Sequence, residues 1–86
     1  IQCPHCGSEY LHLVETSAFD RSEDAKTARK VTITSSSVEV GTTSDLEGNP
    51  SIRRDGLAIR FLCEHCAKSS TMGLAQHKGT TEIGWM

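Results

Sequence analysis

A small, mostly-β fold is what this sequence predicts, and three observations carry the prediction. Short stretches alternate apolar and polar residues, as in Val31-Thr32-Ile33-Thr34, Val38-Glu39-Val40 and Thr81 to Trp85, which is the two-residue period of a half-buried strand. Turn formers such as Gly41, Gly48, Asn49-Pro50 and Asp55-Gly56 separate them. Four cysteines arrive as two doublets of identical spacing, Cys3/Cys6 and Cys63/Cys66. Eighty-six residues leave room for a single domain spanning 1–86. Val, Ile, Leu and Phe together number 17, fewer than the 19 Ser and Thr, so the chain sits at the lower edge of what packs a core unaided. A domain of this kind needs a staple, and the cysteines are the only candidates.

The elements follow in order. Tyr10 to Glu15 reads as a strand leaving the first cysteine pair. Asp20 to Lys30 has seven charged residues among eleven and no large apolar one; a helix there would have no face to bury, so a polar loop near 20–30 is expected. In Val31–Thr34 the apolar positions are odd, in Val38–Val40 even, which calls for a bulge or tight turn at Ser35-Ser36-Ser37. A second long polar loop is expected near 41–56. Leu57, Ile59 and Phe61 then share one strand face running into Cys63, with Ala58, Arg60 and Leu62 on the other. Ser70 to Ala75 and Thr81 to Trp85 supply two more strands around a His77-Lys78-Gly79 turn, a β-meander. The alternative is a short helix after Cys66, disfavoured by Ser69, Ser70, Thr71 and Gly73.

The cysteine doublets have a chemical reading. Two residues between thiols let one tight turn aim both sulfurs at one cation, and two facing turns supply the four ligands of a closed tetrahedral site, which Zn²⁺ accepts. Cys3, Cys6, Cys63 and Cys66 are therefore the expected ligands of one structural Zn²⁺. Pro4 presets the first turn, and Gly7 permits the positive φ needed after its second sulfur. Two disulfides are the competing reading, since four cysteines allow three connectivities, but a bond inside Cys-x-x-Cys closes too small a loop to stabilise much. A redox pair is the third, and neither doublet sits in a βαβ pattern. His5 and His65 each precede a second cysteine and read as solvent-facing turn residues beside a site that four thiolates already fill.

Cys3-Pro4-His5-Cys6-Gly7 together with Cys63-Glu64-His65-Cys66 resembles the paired knuckles of zinc-ribbon proteins. The resemblance covers the knuckles and their flanking strands. It implies a zinc site on a β-hairpin scaffold and no particular activity. Ala67 departs from it, standing where the second knuckle customarily has glycine, and so does the 56-residue gap between Cys6 and Cys63. The expected fold is thus a zinc-ribbon-like antiparallel β-meander with two zinc knuckles and long polar loops; the alternative with a helix after the second knuckle is treble-clef-like.

Function is less legible. No apolar run is long enough to span a bilayer as a helix. The first residues carry no secretory-signal pattern, although a start at Ile1 is compatible with one having been removed. Thiols reserved for metal fit a reducing cytoplasm. No Ser-His-Asp order, phosphate loop or carboxylate pair suggests an enzyme, and a four-thiolate site leaves no open metal position. His12 and His77 are isolated and read as strand or turn residues. The first expectation is a non-catalytic protein–protein interaction module, with Trp85 as either a core residue against Phe61 and Ile59 or a contact anchor. The long loops are candidate contact segments. The alternative is nucleic-acid binding through Arg53, Arg54, Arg60, Lys68 and Lys78, set against Asp55, Glu64 and Glu82 for a local net charge of +2. An overall formal charge of -2 and only 5% aromatic residues disfavour it. An edge strand such as Thr80 to Trp85 offers a route to a dimer.

Overall fold

A computed structural model describes the whole chain, Ile1–Met86. Its elements are six strands: β1 (Leu11–Asp20), β2 (Ala28–Thr34), β3 (Val38–Thr43), β4 (Gly56–Cys63), β5 (Ser69–His77) and β6 (Thr80–Trp85). They form one open antiparallel sheet in the order β3-β2-β1-β4-β5-β6. The central pair is β1 and β4, and a meander runs outward from each. The expected β4-β5-β6 meander is present, and a second one, β1-β2-β3, lies beside it. No helix forms after Cys66: Ser69–His77 is a strand paired along its length with β4 and β6, so the treble-clef-like alternative is corrected.

The parity change across the serines has a simple cause. β2 and β3 form a hairpin in which Val31 faces Val40 and Ile33 faces Val38, so residues of opposite parity share a face without any bulge. Ser35-Ser36-Ser37 make the expected tight turn, closed by the Thr34 amide donating to the Ser37 carbonyl at 2.9 Å; a bulge occurs elsewhere, in β1, where the register against β4 slips between Leu13 and Glu15. Val14 is the extra residue. Up to Leu13, odd residues share the face of Phe61; beyond Val14, even residues Thr16 and Ala18 take that face opposite Ile59 and Leu57. The slip sends Phe19 and Ser17 to the other side, where both are buried.

Both loops are shorter than the sequence suggests. Ala28 to Lys30 belong to β2 because their charges are answered across the strand pair. Arg29 faces Asp20 and bonds its carboxylate, and the Lys30 ammonium stands 5.1 Å from the centre of the Phe19 ring. Gly41 to Thr43 complete β3, and Gly56 begins β4. The remaining connection must return from the sheet edge to β4, past β2 and β1, and it does so across the Phe19 face. Gly48 lies against the Phe19 ring. Within the connection Asn49 and Ser51 are buried: Asn49 Nδ2 donates to the Arg54 carbonyl at 2.9 Å and Ser51 Oγ to the Gln76 carbonyl at 2.9 Å. Pro50 seats on the bare backbone of Gly56 and Gly73, where an added Cβ on Gly73 would come within 2.7 Å of its ring.

The two faces therefore differ. One carries its own cover, the 44–55 connection together with Met86 against Gly73. The other presents Val38 and Val40 (β3), Val31 and Ile33 (β2), Leu57, Ile59 and Phe61 (β4), Met72 and Leu74 (β5), and Ile83 and Trp85 (β6), which the strand registers place on one side. Nothing in the chain covers it: Val40 is 75% exposed and Ile83 67%. Trp85 meets Phe61 edge-on, ring centres 6.1 Å apart, so the indole packs on the expected neighbour while the layer it belongs to stays open. Only eight residues of the chain are buried.

Candidate metal centre

At one end of the sheet the start of β1 and the end of β4 run side by side, Leu11 facing Cys63. The two Cys-x-x-Cys turns meet there, one ahead of β1 and one after β4. They are built alike. In the first, the Gly7 amide donates to the Cys3 carbonyl at 2.9 Å; in the second, the Ala67 amide donates to the Cys63 carbonyl at 3.1 Å. The amides of Cys3 and Cys63 close each turn onto the Ser8 and Lys68 carbonyls, at 2.7 and 3.1 Å. The residue after each second cysteine has a left-handed backbone, Gly7 at φ 78° and Ala67 at φ 59°. Glycine takes that conformation freely, whereas a side chain makes it costly. The Glu64 amide donates to the Tyr10 carbonyl at 3.0 Å and ties the second turn to the strand leaving the first.

All four sulfurs, of Cys3, Cys6, Cys63 and Cys66, lie within 4.8 Å of one another. Cys3 Sγ is 3.7 Å from Cys66 Sγ, and Cys6 Sγ is 3.6 Å from Cys63 Sγ. These separations are far beyond a disulfide of about 2.05 Å, and all four cysteines are free. They match the edges of about 3.8 Å that a thiolate tetrahedron has when each sulfur is about 2.3 Å from Zn²⁺. Cys3 and Cys63 are buried. The cluster can hold one metal ion, and its soft donors and spacing fit zinc.

Backbone amides point at two of the sulfurs. His5 N donates to Cys3 Sγ at 3.4 Å and Cys66 N to Cys63 Sγ at 3.5 Å. The Cys66 amide, aided by that of His65, draws the Cys63 thiol down to about 6 against the opposing effect of burial. Cys6 goes the other way, to about 12: the Ser8 amide favours its thiolate, but Cys63, desolvation and the thiols of Cys66 and Cys3 together outweigh that. Four thiolates without a cation repel one another, so the cluster divides its protons unevenly. A divalent cation removes that conflict.

The histidines stand outside the cluster. His5 and His65 are exposed, and His65 meets Tyr10 edge-on with ring centres 5.3 Å apart. His12 Nε2 lies 3.8 Å from a Glu64 carboxylate oxygen on the exposed sheet end. The basic residues are not gathered into one free patch. Arg53 grips Asp24 with two nitrogens at 2.7 and 2.8 Å and reaches Glu23 at 2.9 Å. Arg54 pairs with Glu23 at 3.1 Å and Arg60 with Glu15 at 3.7 Å. Arg53 holds the Asp24 carboxyl below its ordinary value by hydrogen bond and charge. The Arg53 and Arg54 pairs lock the 21–27 turn to the 44–55 connection, and two loops that read as contact segments in sequence are thereby docked on each other. The open apolar face is the feature sequence reasoning missed. Its signal was present in the shared parity of Leu57, Ile59, Phe61 and the alternating hairpin residues, but which faces join depends on the Val14 bulge.

No helix is long and apolar enough to cross a membrane. No protein-family model, curated protein or solved structure matches this chain.

Proposed function

We propose that this chain is a non-catalytic protein–protein interaction module whose sheet is held in shape by one structural Zn²⁺ on Cys3, Cys6, Cys63 and Cys66, in the manner of a zinc ribbon. The observation that carries the reading is the conjunction of a four-thiol cluster at one end with an uncovered apolar face beside it. Apolar surface of this extent on a small domain marks a contact site. A cation held by four thiolates has no position left for water or substrate, which is why the module reads as non-catalytic. Zinc on thiolates fits a reducing compartment such as the cytoplasm. The nucleic-acid alternative draws on Arg53, Arg54, Arg60, Lys68 and Lys78, but three of the five are engaged with carboxylates, and freeing them opposes phosphate binding.

Titration with duplex and single-stranded oligonucleotides at about 50 and 200 mM salt separates the two readings, because phosphate contacts lose affinity steeply over that range. The module reading predicts no measurable binding at either salt. Affinity that falls steeply with salt and disappears in Arg53→Ala/Arg54→Ala would replace it with the nucleic-acid one.

A further inference from the structure

We infer that two copies of this chain pack face to face through the open apolar side of the sheet, forming a two-layer β-sandwich with a zinc site in each half. The inference rests on the interaction-module reading and names its partner. The first support is area. The chain exposes 5667 Å², whereas a compact monomer of its mass exposes about 5,000 Å². Its radius of gyration is 13.6 Å, against about 12 Å for a compact domain of this length. The surplus surface, roughly 650 Å² on the same scaling, is of the order of the roughly 800 Å² that each partner buries in a standard interface. The cause is visible in the shape: a plate of 39 × 30 Å only 16 Å thick, one sheet with a loop on one side. Its outline is large enough to hold such an interface.

The second support is charge. Among the strand residues on the open face, the only charged ones are Asp20 and Arg29, which face each other across β1 and β2 and are already paired. Beside that pair, at the rim, the exposed Asp55 carboxylate accepts from the Arg21 amide at 2.7 Å, so a two-fold related copy brings no unmatched charge against the centre of the face, the condition that a self-complementary interface must meet. Val38, Val40, Leu13, Ile33 and Ile83, all exposed, give it continuous apolar contact instead. Sheets stack in this way at about 10 Å, with strands nearly aligned.

The third support is need. With only eight residues buried, the chain has no two-sided core of its own, since Phe19 and the 44–55 connection occupy one face alone. The cover has to be present whenever the chain is folded. A second copy meets that condition at every expression level high enough for assembly, and folding and association then become one equilibrium.

Sedimentation velocity of the zinc-loaded chain, run over about 1 to 100 µM, tests this through mass action. A species of twice the 9.4 kDa chain mass is expected, and Val40→Lys/Ile83→Lys should weaken it by at least about tenfold, because each copy would bury unpaired ammonium groups. Glu39→Lys, on the opposite face of β3, should leave it unchanged. Trp85 gives a readout that needs no variant: its quenching by iodide should fall as the dimer forms. A zinc-loaded, folded monomer across the whole range would overturn the inference and assign the face to a different protein, with the module reading intact. A dimer that survives Val40→Lys/Ile83→Lys and leaves Trp85 equally quenched would overturn it in favour of edge pairing.

Discussion

At the scale of single residues, the two cysteine turns invite a direct comparison, because they share hydrogen bonds and backbone but differ at one side chain. Gly7 and Ala67 occupy the same left-handed position, and the alanine Cβ makes it unfavourable by roughly 1 kcal/mol. Ala67→Gly is expected to raise stability by about that amount, read as a higher denaturant midpoint with unchanged slope. Cys63→Ser should remove a buried ligand and leave the domain without a cooperative thermal transition, since structural zinc supplies folding free energy on the order of 10 kcal/mol in small domains. The ligands bind as thiolates, while an ordinary thiol titrates near 8.5 and Cys6 is pushed higher still. Zinc uptake therefore displaces at least one proton, and apparent affinity should fall about tenfold or more for each unit of acidification below neutrality. Competition with a chromophoric chelator at several pH values measures it. This site was the most legible part of the sequence: two identical spacings carry their own geometry, and the folded chain needs only to bring the doublets together.

Elements were legible in kind and less so in extent. Period-two alternation found all six strands, yet β1 runs five residues beyond Glu15 and β2 starts at Ala28, because Asp20, Arg29 and Lys30 are charges with partners across the strand pair. Local composition cannot register a partner nine residues away. The 44–55 connection misleads for a related reason. Its Ser, Asn and Asp look solvated, but Asn49 and Ser51 spend their side chains on backbone groups inside the molecule. Gly56 and Gly73 read as a turn signal and a poor helix former, and both serve as the flat floor on which Pro50 rests. Gly73→Ala would place a methyl 2.7 Å from Pro50 and 3.0 Å from Met86; lifting the connection should destabilise by about 1–3 kcal/mol, as overpacking does. Hydrogen exchange should then show loss of protection at the Ser51 amide while β1 and β4 keep theirs.

On the scale of the whole molecule, the chain is a thin plate clamped at one end. The cysteine doublets, 57 residues apart at their inner edges and in contact across Cys6 and Cys63, close β1 to β4 into one loop, and β5 and β6 extend the sheet beyond it. The open face was not legible, since it requires knowing that the bulge at Val14 puts Thr16 and Ala18 beside Ile59 and Leu57 while two meanders, rather than one, extend the same apolar layer. A molecule with so little buried is expected to depend on its metal for its fold. Native mass spectrometry of the untagged chain, with and without a strong chelator, tests that dependence most directly. One Zn²⁺ per chain is expected, lost together with the compact charge-state distribution when chelator is added. A chain that carries no metal and remains compact, or whose mass is lower by the four hydrogens of two disulfides, would contradict it.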